Sequence, residues 1–299
     1  MIVNPGFVNI GIGQASKASA PAELPLAADT VSLGGPRDAA PKRPQPQPST
    51  VEQLLRDMKP FIRDVHVVRP GADDAPPILG GSGVGAKVPL PEELAEFPSQ
   101  RWVVTPEIEA FHREHYGGIP TAELRAEDQG ELEPTAFPLL QRRYGDREGM
   151  TVVELGPATS SVVPRALGES LHRYFGTDLS VPLMDRQRDV LNEPGFQIAG
   201  AYQVQGDTYD LPYESGVADV LFTSCHPPFV SSSPGERIQA FGEAARVLKE
   251  GGEFVLFPWT GQGEHPAVKA FIDKHFEVVD RQVSFYGADR QMVVFRKKA

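Results

Sequence analysis

Short, almost wholly apolar runs recur through the second half of the chain, with amphipathic stretches between them. The clearest run, Thr151–Leu155, contains two adjacent valines and stops at Gly156. A continuous apolar run that ends at a glycine is typical of a buried parallel strand followed by a tight turn. A Ser or Thr at positions 159–161 can then cap a helix, whose first turn tolerates Pro164. The pattern predicts a strand, a glycine turn and a helix start, in that order.

Further apolar runs alternate with helical stretches, which favours an α/β fold with a mostly parallel sheet. The last two runs are joined by a short connection, whereas a parallel crossover needs about a dozen residues or more. We therefore expect them to form an antiparallel hairpin. The predicted elements are the strands His172–Asp178, Ala218–Cys225, Glu253–Phe257, Phe276–Asp280 and Gln291–Phe295, and the helix Arg237–Leu248.

The first half of the chain has a different pattern. Residues 1–48 have no sustained apolar period and end in a proline-rich segment. Such a segment buries too little apolar surface to offset its chain entropy, so we predict a disordered tail. Amphipathic stretches then predict helices at Val51–Met58, from Thr105 to Gly117 and near Thr135–Arg143, and the Gly- and Pro-rich residues 69–90 predict a loop.

The stretch Gly80–Lys87 within that loop has the composition of a phosphate-binding loop but not its spacing. Lys87 lies one residue too far beyond Gly85, and Val88 stands where a Ser or Thr would bind magnesium. No apolar run precedes the stretch. We therefore interpret it as a flexible loop without a nucleotide.

Composition excludes several classes of protein. A formal charge of −11 and a pI near 5.2 argue against a nucleic-acid partner, which needs clustered Lys and Arg. No apolar run approaches the ~20 residues of a membrane span, and the N-terminus lacks the pattern of a secretory signal. The single cysteine, Cys225, rules out an internal disulfide and fits a reducing, cytoplasmic setting. The oligomeric state is not indicated.

Three motifs, taken together, resemble class I S-adenosylmethionine-dependent methyltransferases over roughly residues 149–298. They are Glu154-Leu-Gly156, Asp207 with Leu211-Pro212, and the helix end Ala245-Arg-Val-Leu-Lys-Glu-Gly-Gly252. The resemblance implies a Rossmann-like sheet of seven strands with helices on both faces and the last strand antiparallel. It also implies that residues 49–148 form a helical cap in front of the methyltransferase domain, residues 149–299.

The resemblance implies S-adenosylmethionine as the cofactor. Asp178 ends a predicted strand 24 residues after Glu154, close to the ~20 residues at which such folds place an acid for the ribose hydroxyls. Asp207 is expected to accept a hydrogen bond from the adenine amino group, and Gly156 to let the backbone approach the methionine part. The cofactor-binding residues that we predict are Glu154, Gly156, Ala158, Asp178, Leu179, Asp207, Thr208 and Ser224.

The glycine turn departs from the family pattern Glu-x-Gly-x-Gly-x-Gly, because Ala158 and Ser160 stand at the second and third glycine positions. A methyl group at Ala158 disfavours a positive φ angle and crowds the approach to a ligand. A fold that binds without turnover therefore stays open as an alternative.

For catalysis, we predict that His226 acts as a base or orients the acceptor, since it directly follows a predicted strand and titrates near neutrality. Candidates for the acceptor side are His112, His115, Tyr116 and Phe229. The spacing of Glu109, His112 and His115 matches no established metal motif, so we expect no metal. The sequence thus predicts methyl transfer to a small organic molecule, with a non-catalytic binding protein or a protein methyltransferase as alternatives.

Overall fold

We describe the fold from a computed structural model of the chain. It describes residues 50–71, 75–94, 97–99, 101, 103–128, 132–193, 200–259, 264–284 and 287–299, without the side chains of 126–128, 169 and 287–289. The predicted tail, residues 1–48, lies outside the described residues. Residues 45–299 belong to one compact unit.

The elements alternate between helix and strand, as the apolar pattern predicts. The strands are β1 His66–Arg69, β2 Ile78–Gly80, β3 Met150–Leu155, β4 Leu171–Asp178, β5 Ala201–Gln205, β6 Ala218–Ser224, β7 Leu248–Trp259, β8 Phe276–Ser284 and β9 Gly287–Lys297. The helices are α1 Val51–Met58, α2 Pro106–Gly117, α3 Thr121–Asp128, α4 Leu132–Tyr144, α5 Val162–Leu167, α6 Val181–Leu191, α7 Pro227–Val230, α8 Pro234–Val247 and α9 Pro266–His275.

The strands of the described residues form one sheet in the order β1-β2-β5-β4-β3-β6-β7-β9-β8. Strands β5, β4, β3, β6 and β7 are parallel, and β9 lies antiparallel between β7 and β8. The α/β class, the mostly parallel sheet and the antiparallel last strand are therefore confirmed. The hairpin of β8 and β9 is also the one that the short connection predicts.

The sheet has nine strands rather than seven, and the two extra strands correct the prediction for residues 49–148. Strand β2 pairs in parallel with β5, and β1 pairs antiparallel with β2 at the edge. This part of the chain is thus not a purely helical cap, and residues 69–90 are not all loop. Both strands escaped the sequence pattern because they have only four and three residues, too few to show a period.

Side chains of β3 alternate between two cores. Val153 and Leu155 join a core under α1, α8 and α9, whereas Val152 joins a core under α4 and α5 on the opposite face. All six residues of β3 are buried, as expected of a central parallel strand covered on both faces. The sheet is therefore rigid where its carboxyl ends meet.

Helix α1 covers a face of the sheet that would otherwise be open. The connection from β5 to β6 contains no helix, yet β6 lies three places away in the sheet. Leu54 and Met58 of α1 pack into the core beside Tyr213 of that connection. The backbone bonds Arg63 N–H to Pro212 O and Glu214 N–H to Phe61 O, both 2.9 Å, fix the two segments together. The N-terminal region thus completes the domain.

Side-chain caps begin several of the helices. Thr50 accepts the N–H of Gln53 at the start of α1, and Thr105 accepts that of Ile108 at the start of α2. Ser233 and Glu236 form a reciprocal capping box at α8. Among the residues that the structure describes, no helix combines the length and apolar character that crossing a membrane requires.

Candidate active site

The glycine turn after β3 places backbone, not side chain, at the centre of the sheet's carboxyl edge. Gly156 has a φ of 63°, and its N–H donates to Thr177 O of β4 at 2.8 Å. A Cβ at this position would lie 2.2 Å from Nδ1 of His226. Glycine is therefore required both by the left-handed conformation and by the ring that covers it.

Ala158 continues the turn in a conformation that alanine rarely adopts. Its φ is 52°, in the left-handed region. The family pattern has a glycine at this position. The backbone N–H of Ala158 points to the Asp178 carboxylate. This hydrogen bond helps to hold Ala158 in its strained conformation. Helix α5 then begins at Val162, whose N–H donates to Ser160 Oγ at 3.3 Å. The turn keeps its shape although two of the three family glycines are replaced.

Asp178 ends β4 beside this turn, and backbone N–H groups surround its carboxylate. Oδ1 accepts the N–H of Ser180 at 2.9 Å, and the N–H groups of Leu179 and Ala158 point to the same group. Burial raises the pKa of Asp178 to about 6, although these hydrogen bonds act in the opposite direction. The free protein therefore holds a carboxyl group that ionises just below neutral pH.

Glu154 lies beneath the turn and is 1 % exposed. The Tyr174 hydroxyl donates to Glu154 Oε2 at 2.5 Å, and Gln187 Nε2 lies 2.9 Å from that hydroxyl and 2.7 Å from Ser160 O. The burial of Tyr174 and the nearby Glu154 carboxylate raise the pKa of the Tyr174 hydroxyl. Glu154 is thus linked to the backbone of the glycine turn through two side chains.

His226 follows β6, and a sharp bend aims it at the turn. Ser224 ends the strand, and Cys225 has a φ of 51°, which redirects the chain. His226 Nε2 then lies 2.7 Å from Thr208 Oγ1. Burial lowers the pKa of His226 to about 3, so the imidazole is neutral at pH 7 and a weak base. This environment favours hydrogen bonding by His226 over proton abstraction.

Asp207, just beyond β5, faces two partners. Its Oδ1 accepts the N–H of Tyr209 at 2.9 Å, and its Oδ2 accepts from Arg101 Nη2. The Arg101 guanidinium also lies over the Tyr209 ring, 5.0 Å from its centroid. The sequence indicates neither Arg101 nor Tyr209. Arg101 and Asp207 are 106 residues apart in sequence, so no local pattern indicates their contact. Tyr209 follows Asp207 by two positions, which is only a weak sequence signal for an aromatic partner.

Helix α2 lies against α6 and brings two of the acceptor-side candidates toward Asp178. His112 Nδ1 lies 2.8 Å from the hydroxyl of Ser180, and Tyr116 O accepts Arg186 Nε at 3.0 Å. Burial lowers the pKa of His112 below its ordinary value. His115 instead points outward and stacks on Phe111 at 5.3 Å. The structure therefore separates His115 from the carboxyl edge.

The structure places Phe229, another acceptor-side candidate, in the core. Its side chain is 1 % exposed and packs between Phe241 and Phe254, with centroid distances of 5.3 Å and 5.0 Å. The short helix α7 turns the ring into the core instead of leaving it in a loop. Phe229 contacts the site only through the ring of His226, 6.1 Å away.

The strand ends bring the predicted cofactor residues to one edge. Leu155 pairs with Thr177 and Asp178 with Gln205, so Gly156, Asp178 and Asp207 follow adjacent strands. Residues 153–256 match the family described as a methyltransferase domain. The chain carries a methyltransferase domain. Its class is the Rossmann-like one, and its cofactor is S-adenosylmethionine.

The residues present fit that cofactor. A diol and an amine need acceptors, and the carboxylates of Asp178 and Asp207 supply them at neighbouring strand ends. Gly156 turns the chain at the same edge with a φ of 63° and leaves its backbone without a side chain there. Among the described residues, no group of three or more His, Cys, Asp or Glu is arranged to hold a metal ion.

Solved structures share the fold at low sequence identity. A methyltransferase of Aquifex aeolicus that depends on S-adenosylmethionine is 14 % identical, with 60 % of this chain and 100 % of that chain covered and a TM-score of 0.44. A methyltransferase of Methanosarcina mazei that depends on S-adenosylmethionine is 14 % identical, with 54 % of this chain and 97 % of that chain covered and a TM-score of 0.43. The [4+2]-cyclase SpnF is 15 % identical, with 55 % of this chain and 80 % of that chain covered and a TM-score of 0.44. No curated protein matches the chain by sequence.

Proposed function

We propose that this protein transfers the methyl group of S-adenosylmethionine to an oxygen or nitrogen atom of a small organic molecule. The observation that carries the proposal is the convergence of Gly156, Asp178 and Asp207 on one edge of the sheet, with His226 beside them. When bound, the cofactor supplies an electrophilic methyl group on its sulfonium. The protein must therefore hold the donor, align the acceptor and exclude water.

In this proposal Asp178 holds the ribose hydroxyls and Asp207 the adenine amino group. Gly156 and Ala158 present backbone to the methionine part, with Leu179, Thr208 and Ser224 around it. Glu154 does not contact the cofactor directly in this proposal; it supports the glycine turn through Tyr174 and Gln187. Each carboxylate would make charge-assisted hydrogen bonds, which are stronger than neutral ones.

His226 orients the acceptor in this proposal. One ring nitrogen is already engaged by Thr208 at 2.7 Å, which fixes the plane of the imidazole. The other nitrogen, Nδ1, lies against the backbone of Gly156. A neutral imidazole can hydrogen-bond an acceptor hydroxyl or amine without removing its proton. His112 and Tyr116 on α2 lie on the Asp178 side and are candidates to enclose the acceptor.

A small-molecule acceptor is supported by the charge of the chain. The formal charge of −11 disfavours a phosphate backbone as substrate. The single cysteine fits a cytoplasmic setting. Transfer of radiolabelled methyl to members of a panel of phenols, carboxylic acids and amines tests this class. Labelling of proteins or RNA alone, with every small molecule unlabelled, would contradict it.

The His226→Ala variant tests the orienting role. We expect its affinity for S-adenosylhomocysteine to stay close to that of the wild type, while turnover falls about 100-fold or more. Calorimetric titration and the methyl-transfer assay measure the two quantities separately. His115→Ala is the control, because that ring points away from the edge. Normal turnover by His226→Ala would remove His226 from the chemistry.

The alternative of a binding protein without turnover rests on the strained Ala158, which replaces a family glycine at a φ of 52°. Binding of S-adenosylhomocysteine with no methylation of any acceptor in small-molecule and protein panels would favour that alternative. Transfer of label to any acceptor would exclude it.

A further inference from the structure

The carboxylate of Asp207 has one oxygen committed to its own loop and one directed outward. Oδ1 accepts the N–H of Tyr209 at 2.9 Å, which fixes the orientation of the group. Oδ2 faces away from the loop, and there it accepts from Arg101 Nη2. A ligand that approaches Oδ2 of Asp207 therefore meets the side chain of Arg101.

Arg101 is held there by more than its charge. Its guanidinium lies over the Tyr209 ring, 5.0 Å from the centroid. Its backbone N–H donates to Ser99 Oγ at 3.3 Å, and that hydroxyl donates to Glu236 Oε1 at the start of α8 at 2.6 Å. Four residues before Arg101, the Phe97 ring meets the His265 ring edge-on at 5.5 Å. Contacts of the residues that precede it, together with the Tyr209 ring, therefore present Arg101 to Asp207.

The guanidinium of Arg101 and the amino group of adenine have the same recognition chemistry. Each is a planar group whose N–H bonds lie in the plane and donate to a carboxylate oxygen, and each can stack on an aromatic ring. We propose that Arg101 competes with the adenine amino group for Asp207, so that the protein holds its own adenine site closed until the cofactor displaces the side chain. This inference rests on the proposed role of Asp207 in cofactor binding.

A cleft beside the ion pair can accommodate the Arg101 side chain when it leaves Asp207. It has a volume of 340 Å³, and its lining includes Arg101, Tyr209, Asp210 and Glu236. Displacement therefore gives up the ion pair with Asp207, and the released charge stays in contact with water.

The exposure of the pair sets the size of the effect. The side chains of Arg101 and Asp207 are 46 % and 29 % exposed, so water weakens their attraction. Exposed ion pairs of this kind change an equilibrium by about 1.4- to 5-fold. Removing the competitor should therefore tighten cofactor binding by a factor in that range.

The test is calorimetric titration of the full-length wild type and Arg101→Ala with S-adenosylhomocysteine. We expect Arg101→Ala to bind about 1.4- to 5-fold more tightly. Lys87→Ala is the matched control, because Lys87 is an exposed cation that lines the same cleft and its loss changes the net charge equally. Its affinity should equal that of the wild type. A matching gain in Lys87→Ala would mean that general charge, not competition, sets the affinity.

A second ligand separates competition from other effects. S-inosylhomocysteine carries a carbonyl oxygen where adenine carries the amino group, so it cannot donate to Asp207 at that position. Arg101→Ala should therefore raise the preference for the adenine ligand over the inosine ligand. In Asp207→Asn, the further change Arg101→Ala should leave the affinity for S-adenosylhomocysteine unchanged.

Equal or weaker binding of S-adenosylhomocysteine by Arg101→Ala would overturn the competition while leaving the proposed function intact. An unchanged preference between the two ligands would overturn it as well. If neither the wild type nor Arg101→Ala bound S-adenosylhomocysteine, the proposed function and the competition would fail together.

Discussion

The affinity for the cofactor should depend on pH through one carboxyl group, Asp178. Burial raises its pKa to about 6 in the free protein. Ribose hydroxyls bind the ionised form best, because charge-assisted hydrogen bonds are stronger than neutral ones. Protonation of Asp178 therefore competes with cofactor binding, and the affinity should fall as the pH falls through about 6.

The size of the effect follows from the pKa. At about pH 8 almost every Asp178 is ionised, whereas at about pH 5 roughly one in ten is, because each pH unit below the pKa costs a factor of about ten. The dissociation constant of S-adenosylhomocysteine should therefore rise about tenfold between these conditions, which corresponds to about 1.4 kcal/mol. Most of the change should fall below pH 6.

Calorimetric titration across this pH range measures the effect, with Asp178→Asn as the first control. Asparagine does not ionise, so the variant should bind more weakly and show no slope. His112 is a second titratable group beside the site: burial lowers its pKa, and its ring contacts Ser180, two residues after Asp178. His112→Gln should therefore keep the slope. His226, with a pKa near 3, stays neutral throughout.

An affinity that stays constant between about pH 5 and pH 8 would refute the reasoning. It would mean that Asp178 does not hold the ribose or that its carboxyl group is not raised in pKa. A slope that survives in Asp178→Asn would assign the titration to another group.

Three further predictions concern affinity and stability. Asp178→Ala at neutral pH should weaken S-adenosylhomocysteine binding by roughly 10- to 150-fold, measured by calorimetry; wild-type affinity would contradict the ribose role. Glu253→Ala should lower the free energy of unfolding by about 3 kcal/mol in urea titrations, because it leaves Arg143, 15 % exposed, with only the longer 3.5 Å contact to Asp280, whereas Asp273→Ala in an exposed pair should change little. Burial opposes ionisation of Glu253, but hydrogen bonds from Arg143 lower its pKa, so this stability should be present above about pH 4.5 and lost in acid. Ala158→Gly should raise the free energy of unfolding by about 0.5–1 kcal/mol by relieving the left-handed conformation; a loss would mean that the methyl group packs favourably.

The features that could be predicted from sequence are those encoded locally. Strand β3 and the turn at Gly156 follow from a run of apolar residues that ends in glycine. Helix α1 begins and ends at its predicted residues because Thr50 caps it and its apolar face repeats. Such signals lie within a few residues of the feature that they predict.

The features that could not be predicted depend on distant contacts. The glycine-rich loop after β2 is fixed by the bond from Gly85 N–H to Asp210 at 2.8 Å, across 125 residues of sequence. The partnership of Arg101 with Asp207 is likewise non-local. The burial of Phe229 also depends on packing against Phe241 and Phe254, which follow it by 12 and 25 residues.

The most direct test of the account is thermal unfolding of the full-length protein with S-adenosylmethionine and with S-adenosylhomocysteine. A ligand at 100 times its dissociation constant adds about 2.7 kcal/mol to the free energy of unfolding. We expect both ligands to raise the melting temperature, and Asp178→Ala to show a smaller rise at the same concentration. An unchanged melting temperature of the wild type at millimolar concentrations of both ligands would contradict a cofactor site at the edge formed by Gly156, Asp178 and Asp207.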